Sequence, residues 1–313
     1  AVDYYNLYVS GGNTKTSQGS LNVANDLTVT GAGTVFDLGS NNLEVDGDAV
    51  VSSSGTITAS TASIDFDESI SMLNTAINQG ISDVVSTVHF QHPKMEGKKM
   101  SFKFIKGQID ELNDILKNNN IKINIHIGSE VFFLPNLLEL IDNPLSTIGN
   151  GKYMLIEFHP FNIPDIHKQI FFDLKMNGIT PIIAHPERYN QVQENINIVA
   201  DWLEAGCIVQ IDAGSPIGLL GKKAKVTSEI LIKNNWFQLL GSDAHDNRNR
   251  NFCLKESISY IDSIVDFDIS HLIIENPKKI IQGEPINFDV NHQNYNNNVS
   301  SLEKVKKFFK KKL

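Results

Sequence analysis

Polar metal-binding donors stand at four points of the sequence where an apolar segment ends. The segments and the donors that follow them are 83–88 with His89, 121–127 with Glu130, 179–183 with His185, and 236–240 with Asp243 and His245. In parallel α/β folds the carboxyl ends of the strands meet at one edge, where the chemistry takes place. One such strand end is weak evidence, whereas four in order predict a single shared site.

The donors at these strand ends are nitrogen and oxygen atoms, without thiolates. Such a set favours manganese, iron or zinc in a hydrolytic centre with several metal ions over a structural zinc site. Neighbouring ions lower the pKa of a bridging water and hold a phosphoryl oxygen, which is metal-assisted displacement at phosphorus. Arg188 and Arg250 fit this chemistry as bidentate phosphate-binding groups. Taken singly, each histidine would instead be an ordinary core or surface residue.

The composition narrows the class of protein. The chain has 313 residues, and its net charge of -9 argues against a nucleic-acid partner, which would need a basic face. No apolar run reaches the roughly 18 residues of a membrane-spanning helix. Cys207 and Cys253 form no disulfide framework, and neither has an arginine six residues later. A Cys-x5-Arg thiolate phosphatase is therefore excluded, and we expect a soluble protein with one barrel-sized domain and a smaller one.

Residues 1–63 differ in composition from the rest of the chain. They contain one basic residue, Lys15, and are rich in Gly, Ser, Thr, Asn, Val and Leu. Short alternating pieces separated by dense turns predict strands at 21–23, 27–30, 35–38, 43–45 and 56–58. Their staggered recurrence is similar to the β-solenoid modules of bacterial surface proteins and adhesins. The alternative is a small β-meander or a flexible appendage.

From residue 64 to about 290, strand-like and helix-like segments alternate. Right-handed crossovers would close such βα units into a barrel or near-barrel with its site at the strand carboxyl ends. Residues 291–313 are a polar linker and a basic tail with apolar residues among lysines. This tail predicts either a solvated terminal helix or a helix that docks on a membrane surface or a partner.

Several motifs together resemble a known family. They are TVHF at 87–90, GSE at 128–130, LIEF at 155–158, AHPERY at 184–189 and GSDAH at 241–245. The set resembles the bacterial tyrosine-protein phosphatases of capsule and exopolysaccharide operons, the CpsB/YwqE-type members of the polymerase-and-histidinol-phosphatase superfamily. The resemblance covers residues 67–286. It implies an α/β fold with a distorted (β/α)7 barrel and a manganese-preferring trinuclear centre.

The resemblance also implies roles for single residues. The metal ligands would be His89, Glu130, His185, Asp243 and His245, and Arg188 and Arg250 would hold the phosphate. The substrate would be phosphotyrosine on a polysaccharide-assembly kinase, in the cytoplasm.

One departure from the family puts this activity in doubt. Family members open with a strand ending in Asp-x-His-x-His and a Pro-Gly-x-Asp-Asp-Gly turn, whereas residues 56–64 here belong to the Ser/Thr-rich β segment. Two histidine ligands, a carboxylate and the first barrel strand are therefore missing. Asp65 and Asp67 are possible substitutes but fit helix capping better. His159 is a smaller deviation and is not expected to be a ligand. We expect a fusion with strongly reduced catalysis.

Two other functions remain open at this point. The β segment could decide the role of the protein, as a structural or cell-surface protein that self-associates and carries a vestigial barrel. Alternatively, the barrel could hydrolyse small phosphoesters such as histidinol phosphate.

Overall fold

The computed structural model describes residues 2–24, 26–30, 34–38, 43–45, 49–51, 55–58, 67–95 and 101–286. The chain divides into two compact units, Ala1–Ser71 and Met72–Leu313. Asp65 and the predicted basic tail at 291–313 lie outside the described residues.

The described residues of the first unit form nine short strands in three sheets. The strands are β1 Val2–Tyr4, β2 Leu7–Val9, β3 Asn13–Thr16, β4 Leu21–Val23, β5 Leu27–Val29, β6 Thr34–Asp37, β7 Leu43–Val45, β8 Ala49–Val51 and β9 Gly55–Thr58. The three sheets have the strand orders β1-β4-β7, β2-β5-β8 and β3-β6-β9. The chain therefore visits the three sheets in turn and returns to each of them twice.

All strand pairs of this unit are parallel. Val2 pairs with Leu21, which in turn pairs with Leu43, so a side chain recurs in the same place about 20 residues later. Val9, Leu27 and other apolar side chains from successive strands form one buried cluster. The predicted β segment is present, and because a meander needs antiparallel neighbours, the meander alternative is wrong for the described strands.

The second unit contains six strands and most of the helical residues. Its strands are β10 Asp83–Phe90, β11 Asn124–Phe132, β12 Tyr153–Glu157, β13 Thr180–Ala184, β14 Ile208–Asp212 and β15 Leu239–Gly241. The helices are α1 Asp67–Asn78, α2 Phe102–Asn118, α3 His167–Met176, α4 Asn190–Glu194, α5 Asn197–Glu204, α6 Lys222–Lys233, α7 Leu254–Ile264 and α8 Asn276–Gln282. The predicted α/β alternation is confirmed.

The six strands form one parallel sheet in chain order, β10 to β15. Side chains of the inner strands are buried on both faces, as the near-continuous apolar runs predict. The sheet is strongly curled. This is shown by the rings of His89, at the end of β10, and His245, after β15, whose centroids are only 5.7 Å apart. Both edge strands therefore reach the same place at their carboxyl ends.

Helix α1 helps to hold the edge strands together. Leu73 and Ala76 pack in the cluster that also contains residues of β11 and α2. On the side of β15, Gln79 donates a hydrogen bond of 2.6 Å to the carbonyl of Phe252 and accepts one of 3.1 Å from the backbone N–H of Lys255.

Among the described residues, no helix combines the length and the apolar character needed to cross a bilayer.

Candidate metal centre

The strand register brings the predicted donors to one edge of the sheet. His89 in β10 is the direct neighbour of Glu130 in β11, and Glu130 is in turn paired with Leu155 of β12. His185 is the first residue after β13 and Asp243 the second after β15, and both have a left-handed backbone, with φ of 32° and 43°. Such a conformation is costly for a residue with a side chain and is typical of functional sites. The sharp turns aim both side chains over the carboxyl edge.

Two histidines and two glutamates form the centre of the site. The Nε2 atom of His89 lies 3.3 Å from Glu130 Oε2, and the Nε2 atom of His185 lies 3.2 Å from Glu130 Oε1. His185 Nε2 also lies 3.6 Å from Glu157 Oε1. Glu130 therefore links two imidazoles, and donor atoms of His89, Glu130 and Glu157 lie within 4.8 Å of one another.

Glu157 is a member of this cluster that the sequence analysis missed as a ligand. It ends β12, as His89 and Glu130 lie near the ends of their strands. The motif LIEF at 155–158 contains the sequence signal for this ligand. It is an apolar strand that ends in a carboxylate, as the four other apolar segments end in a metal-binding donor.

Burial and proximity shift the protonation of the central cluster. Burial opposes the charge of Glu130, but hydrogen bonds from His185 and His89 hold the pKa of Glu130 far below its usual range. Burial also opposes the charge of His185, yet the hydrogen bond to Glu130 and its negative charge raise the pKa of His185 to about 9. The hydrogen bond to Glu130 likewise raises the pKa of His89. Burial and the neighbouring Glu130 raise the pKa of Glu157.

A second group, next to β15, joins the two predicted phosphate-binding arginines. Arg188 Nη1 donates a hydrogen bond of 2.6 Å to Asp243 Oδ2, and Arg250 Nη2 donates to the same oxygen. Arg250 Nη1 lies 3.5 Å from His245 Nε2. The ring of His245 in turn makes an edge-on contact with that of His89. The structure therefore brings all seven predicted site residues to one edge, with Asp243 held by both guanidinium groups.

Two buried carboxyls stabilise the loop that carries Arg188. Glu187 Oε1 accepts hydrogen bonds from the backbone N–H of Asp212 at 3.0 Å and the hydroxyl of Ser215 at 2.6 Å. Asp212 Oδ2 lies 3.4 Å from Arg188 Nη1. Burial, with Asp212 nearby, raises the pKa of Glu187 to about 7, and burial, with Asp243 nearby, raises the pKa of Asp212 to about 6. Sequence reasoning did not identify either residue in this role.

The tyrosine of the AHPERY motif is structural. Its hydroxyl donates a hydrogen bond of 2.7 Å to the carbonyl of Ala184 and accepts one of 3.0 Å from the backbone N–H of Phe158. Tyr189 is buried and ties the end of β13 to the end of β12. This fixes the loop from His185 to Arg188 against the neighbouring strand.

The residues considered as deviations are placed as follows. His159 is exposed and contacts Phe161 and Asn162 of its own turn, so within the described residues it is not part of the cluster. Asp67 is the first residue of α1, and its side chain, like the whole of Asp65, is outside the described part.

The donor set fits a divalent metal. Within the described residues, Glu157 Oε2 and His185 Nδ1 are buried atoms without a hydrogen-bond partner. Imidazole nitrogens and carboxylate oxygens are ligands of zinc, iron and manganese, and two buried carboxylates side by side are costly without positive charge between them. The arrangement can therefore hold cations at the cluster and an anion beside the arginines.

Comparisons with known proteins agree with this arrangement. Residues 60–282 match the family model described as capsular polysaccharide synthesis, CpsB/CapC. The tyrosine-protein phosphatase YwqE of Bacillus subtilis (strain 168) is 29% identical over 220 residues, which cover 70% of this chain and 85% of YwqE. The tyrosine-protein phosphatase CpsB of Streptococcus pneumoniae is 26% identical over 235 residues, which cover 70% of this chain and 92% of CpsB.

The fold is similar to a solved structure from a study of YwqE from Bacillus subtilis and CpsB from Streptococcus pneumoniae, described as metal-dependent tyrosine phosphatases. The TM-score is 0.68 at 28% identity, and the match covers 72% of this chain and 91% of the other. The resemblance inferred from the motifs is confirmed, and the chain belongs to the CpsB/CapC family of capsular polysaccharide synthesis.

Proposed function

We propose that this protein is a metal-dependent phosphatase that hydrolyses phosphotyrosine in proteins. One observation carries the proposal: a buried His–Glu–Glu cluster lies on the same strand edge as two arginines that converge on Asp243. Cation-binding and anion-binding groups side by side are what phosphate-ester hydrolysis requires. The relatives named above are tyrosine-protein phosphatases.

The proposed metal-binding residues are the five predicted from sequence together with Glu157. We propose manganese as the preferred ion, in a centre with more than one metal; iron and zinc are alternatives with the same ligand types. Metal ions bound there would supply a water of lowered pKa and positive charge against the phosphoryl oxygens. Because Glu130 is shared by His89 and His185, it is the ligand most able to connect two positions of the centre.

The protein's own side chains would bind and orient the phosphate. Arg188 and Arg250 are partly exposed, so their remaining N–H groups can reach an anion at the mouth of the site. Their contacts with Asp243 fix both guanidinium groups before the substrate arrives, which lowers the entropic cost of binding. Glu187 keeps the short turn before Arg188 in place through its bonds to Asp212 and Ser215.

We propose that the substrate is the phosphotyrosine tail of a polysaccharide-assembly kinase, and that the reaction takes place in the cytoplasm. The family's connection with capsular polysaccharide synthesis supports this choice. A kinase tail is a flexible segment, and a site at an open strand edge is accessible to such a segment.

We also propose an assignment of the domains. Residues 64–290 would form a distorted (β/α)7-type barrel without its first strand, which the curled six-stranded sheet supports. Residues 1–63 would form a β-solenoid module, which the three parallel ladders support. Self-association through that module and surface or partner binding by residues 291–313 stay predictions.

Metal content and substrate preference test the proposed function. After dialysis against manganese, elemental analysis should find about one to two ions per chain rather than three, because the opening ligands are missing. Residual hydrolysis of a phosphotyrosine peptide should exceed that of histidinol phosphate. A stoichiometry near zero would contradict the shared site, and a preference for histidinol phosphate would favour the small-phosphoester alternative.

Replacement of Arg188 by alanine should weaken orthovanadate binding by about 10- to 150-fold, equivalent to about 1.5–3 kcal/mol for a lost charge-assisted contact. Manganese binding should change much less, because the guanidinium is not a metal ligand and Arg250 still donates to Asp243. Competition of vanadate with a labelled phosphopeptide gives the first quantity and elemental analysis the second. Arg188→Lys is the matched control, because it keeps the charge but loses the two-pronged geometry. Equal loss of metal and vanadate would make Arg188 a structural residue.

A further inference from the structure

The connection between β12 and α3 carries a tight turn at the edge of the site. His159 and Asn162 form an antiparallel bridge, and the backbone N–H of Asn162 donates a hydrogen bond of 3.0 Å to the carbonyl of His159. Pro160 and Phe161 are the two central residues of this turn. Proline at the first central position fixes φ and so reduces the freedom of the turn. The turn begins two residues after Glu157.

This turn is held alongside the loop of Arg188. The backbone N–H of Asn190 donates a hydrogen bond of 2.9 Å to the carbonyl of Pro160. On either side of the turn, Phe158 N–H donates to the hydroxyl of Tyr189, and Ile163 N–H donates to the side chain of Gln191. Three contacts therefore fix the turn to the residues that immediately follow Arg188.

Phe161 at the tip of this turn is 69% exposed. Its backbone N–H donates to Nδ1 of His159 at 3.3 Å, and the two rings have centroids 5.6 Å apart. The side chain is thus presented on a backbone that hydrogen bonds hold on three sides. A large aromatic side chain on a fixed backbone binds a partner at low entropic cost, because only its own rotamer has to be fixed.

We infer that Phe161 is a substrate-specificity residue that contacts an apolar side chain next to phosphotyrosine in the substrate polypeptide. The inference rests on the proposed function, since it takes the phosphate to lie beside Arg188. The turn at 159–162 is hydrogen-bonded to Asn190, two residues after that arginine, so we take the residues that flank the phosphotyrosine to pass over this turn. His159 shapes the turn and is not itself a metal ligand.

The test is the binding of a fluorescein-labelled peptide that contains phosphonomethyl-phenylalanine, which cannot be hydrolysed, flanked by leucine. Fluorescence anisotropy of the full chain with manganese should show that Phe161→Ala weakens binding about tenfold, which is about 1.4 kcal/mol. Displacement of the peptide by free phosphonomethyl-phenylalanine should give the same affinity for that small ligand in both proteins. Because Phe161 is exposed, its removal should leave the fold unchanged.

Phe172→Ala is the matched control. Phe172 is 59% exposed and lies on α3, about 7 Å further along the helix axis than its first residue. It should bind the peptide like the parent. An unchanged affinity in Phe161→Ala, or an equal loss with Phe172→Ala, overturns the inference. So does an equal loss for the free amino acid, which would place Phe161 on the phosphotyrosine ring. A parent that binds neither ligand would contradict the proposed function itself.

Discussion

Grafting the missing opening onto this chain should raise manganese-dependent hydrolysis of a phosphotyrosine peptide by about three powers of ten or more, equivalent to about 4 kcal/mol of activation free energy. In the graft, residues 1–64 are replaced by a strand ending in Asp-Ile-His-Ser-His and a Pro-Gly-Ile-Asp-Asp-Gly turn. The graft would pair with β10, which has one neighbour, β11, in the described sheet. The two imidazoles of the grafted strand would then lie beside His89 and His245, whose ring centroids are 5.7 Å apart.

The reason for so large an effect is that metal centres of this kind act as a unit. Removing one ion of a pair removes both the lowered pKa of the attacking water and half of the charge that stabilises the phosphoryl group. The measurement is kcat with saturating manganese, together with metal content for each protein.

The matched control is a graft in which both histidines are alanine. It supplies the same strand and turn without the imidazoles, so it separates completion of the sheet from completion of the metal centre. We expect this control to be folded and slow. A folded, metal-loaded histidine graft that is no faster than the parent would mean that the parent has substitute ligands or that the phosphatase proposal is wrong.

Much of the α/β unit could be predicted from sequence because its signals are local. Buried parallel strands are continuous apolar runs, and the helices between them show helical spacing, so their existence and order were confirmed. Boundaries were less accurate. The run 236–240 was predicted as a strand, but the ladder begins only at Leu239, because pairing with β14 rather than apolar character sets the start.

The first unit shows which strands apolar alternation can predict and which it cannot. The pieces at 21–23 and 43–45 were predicted with the bounds of β4 and β7, and both sequences alternate apolar and polar residues. In contrast β3, Asn13–Thr16, has four exposed residues and no apolar alternation. It is a strand because β6 pairs with it, and this long-range contact leaves no local pattern.

The site residues also fall into those that sequence could predict and those that it could not. Residues at the ends of strands could be found from sequence because the strand itself marks the position. The partnership between Asp243 and the two arginines could not, since it depends on how far the sheet curls. The role of Glu187 could not be predicted for another reason. The polar segment HPER has the composition of a surface loop, and only the fold shows that Glu187 is buried.

Replacement of Glu130 by glutamine should reduce manganese affinity by more than about 100-fold and abolish measurable turnover. Outer partners of metal ligands typically account for 10- to 100-fold in affinity, so a direct, shared carboxylate should exceed that range. Glu130 is buried between two imidazoles, and glutamine keeps its size while losing its charge. Glu139→Gln, an exposed glutamate in a short helical turn, is the control and should bind manganese like the parent.

The same variant should change the protonation of His185, which gives a readout independent of activity. In the parent treated with chelator, the pKa of about 9 means that His185 is charged at neutral pH, because Glu130 outweighs burial. Metal must displace that proton, so manganese affinity should rise by up to about tenfold per pH unit as the pH approaches 9. Without the charge of Glu130, burial and the positive charge of Arg188 favour the neutral ring, and only the weaker attraction of the other carboxylates opposes them, so the pKa of His185 should fall below its ordinary value of about 6.5. Titration of the histidine ring signals by NMR measures this shift. An unchanged His185 titration would show that Glu130 does not control the charge of the cluster.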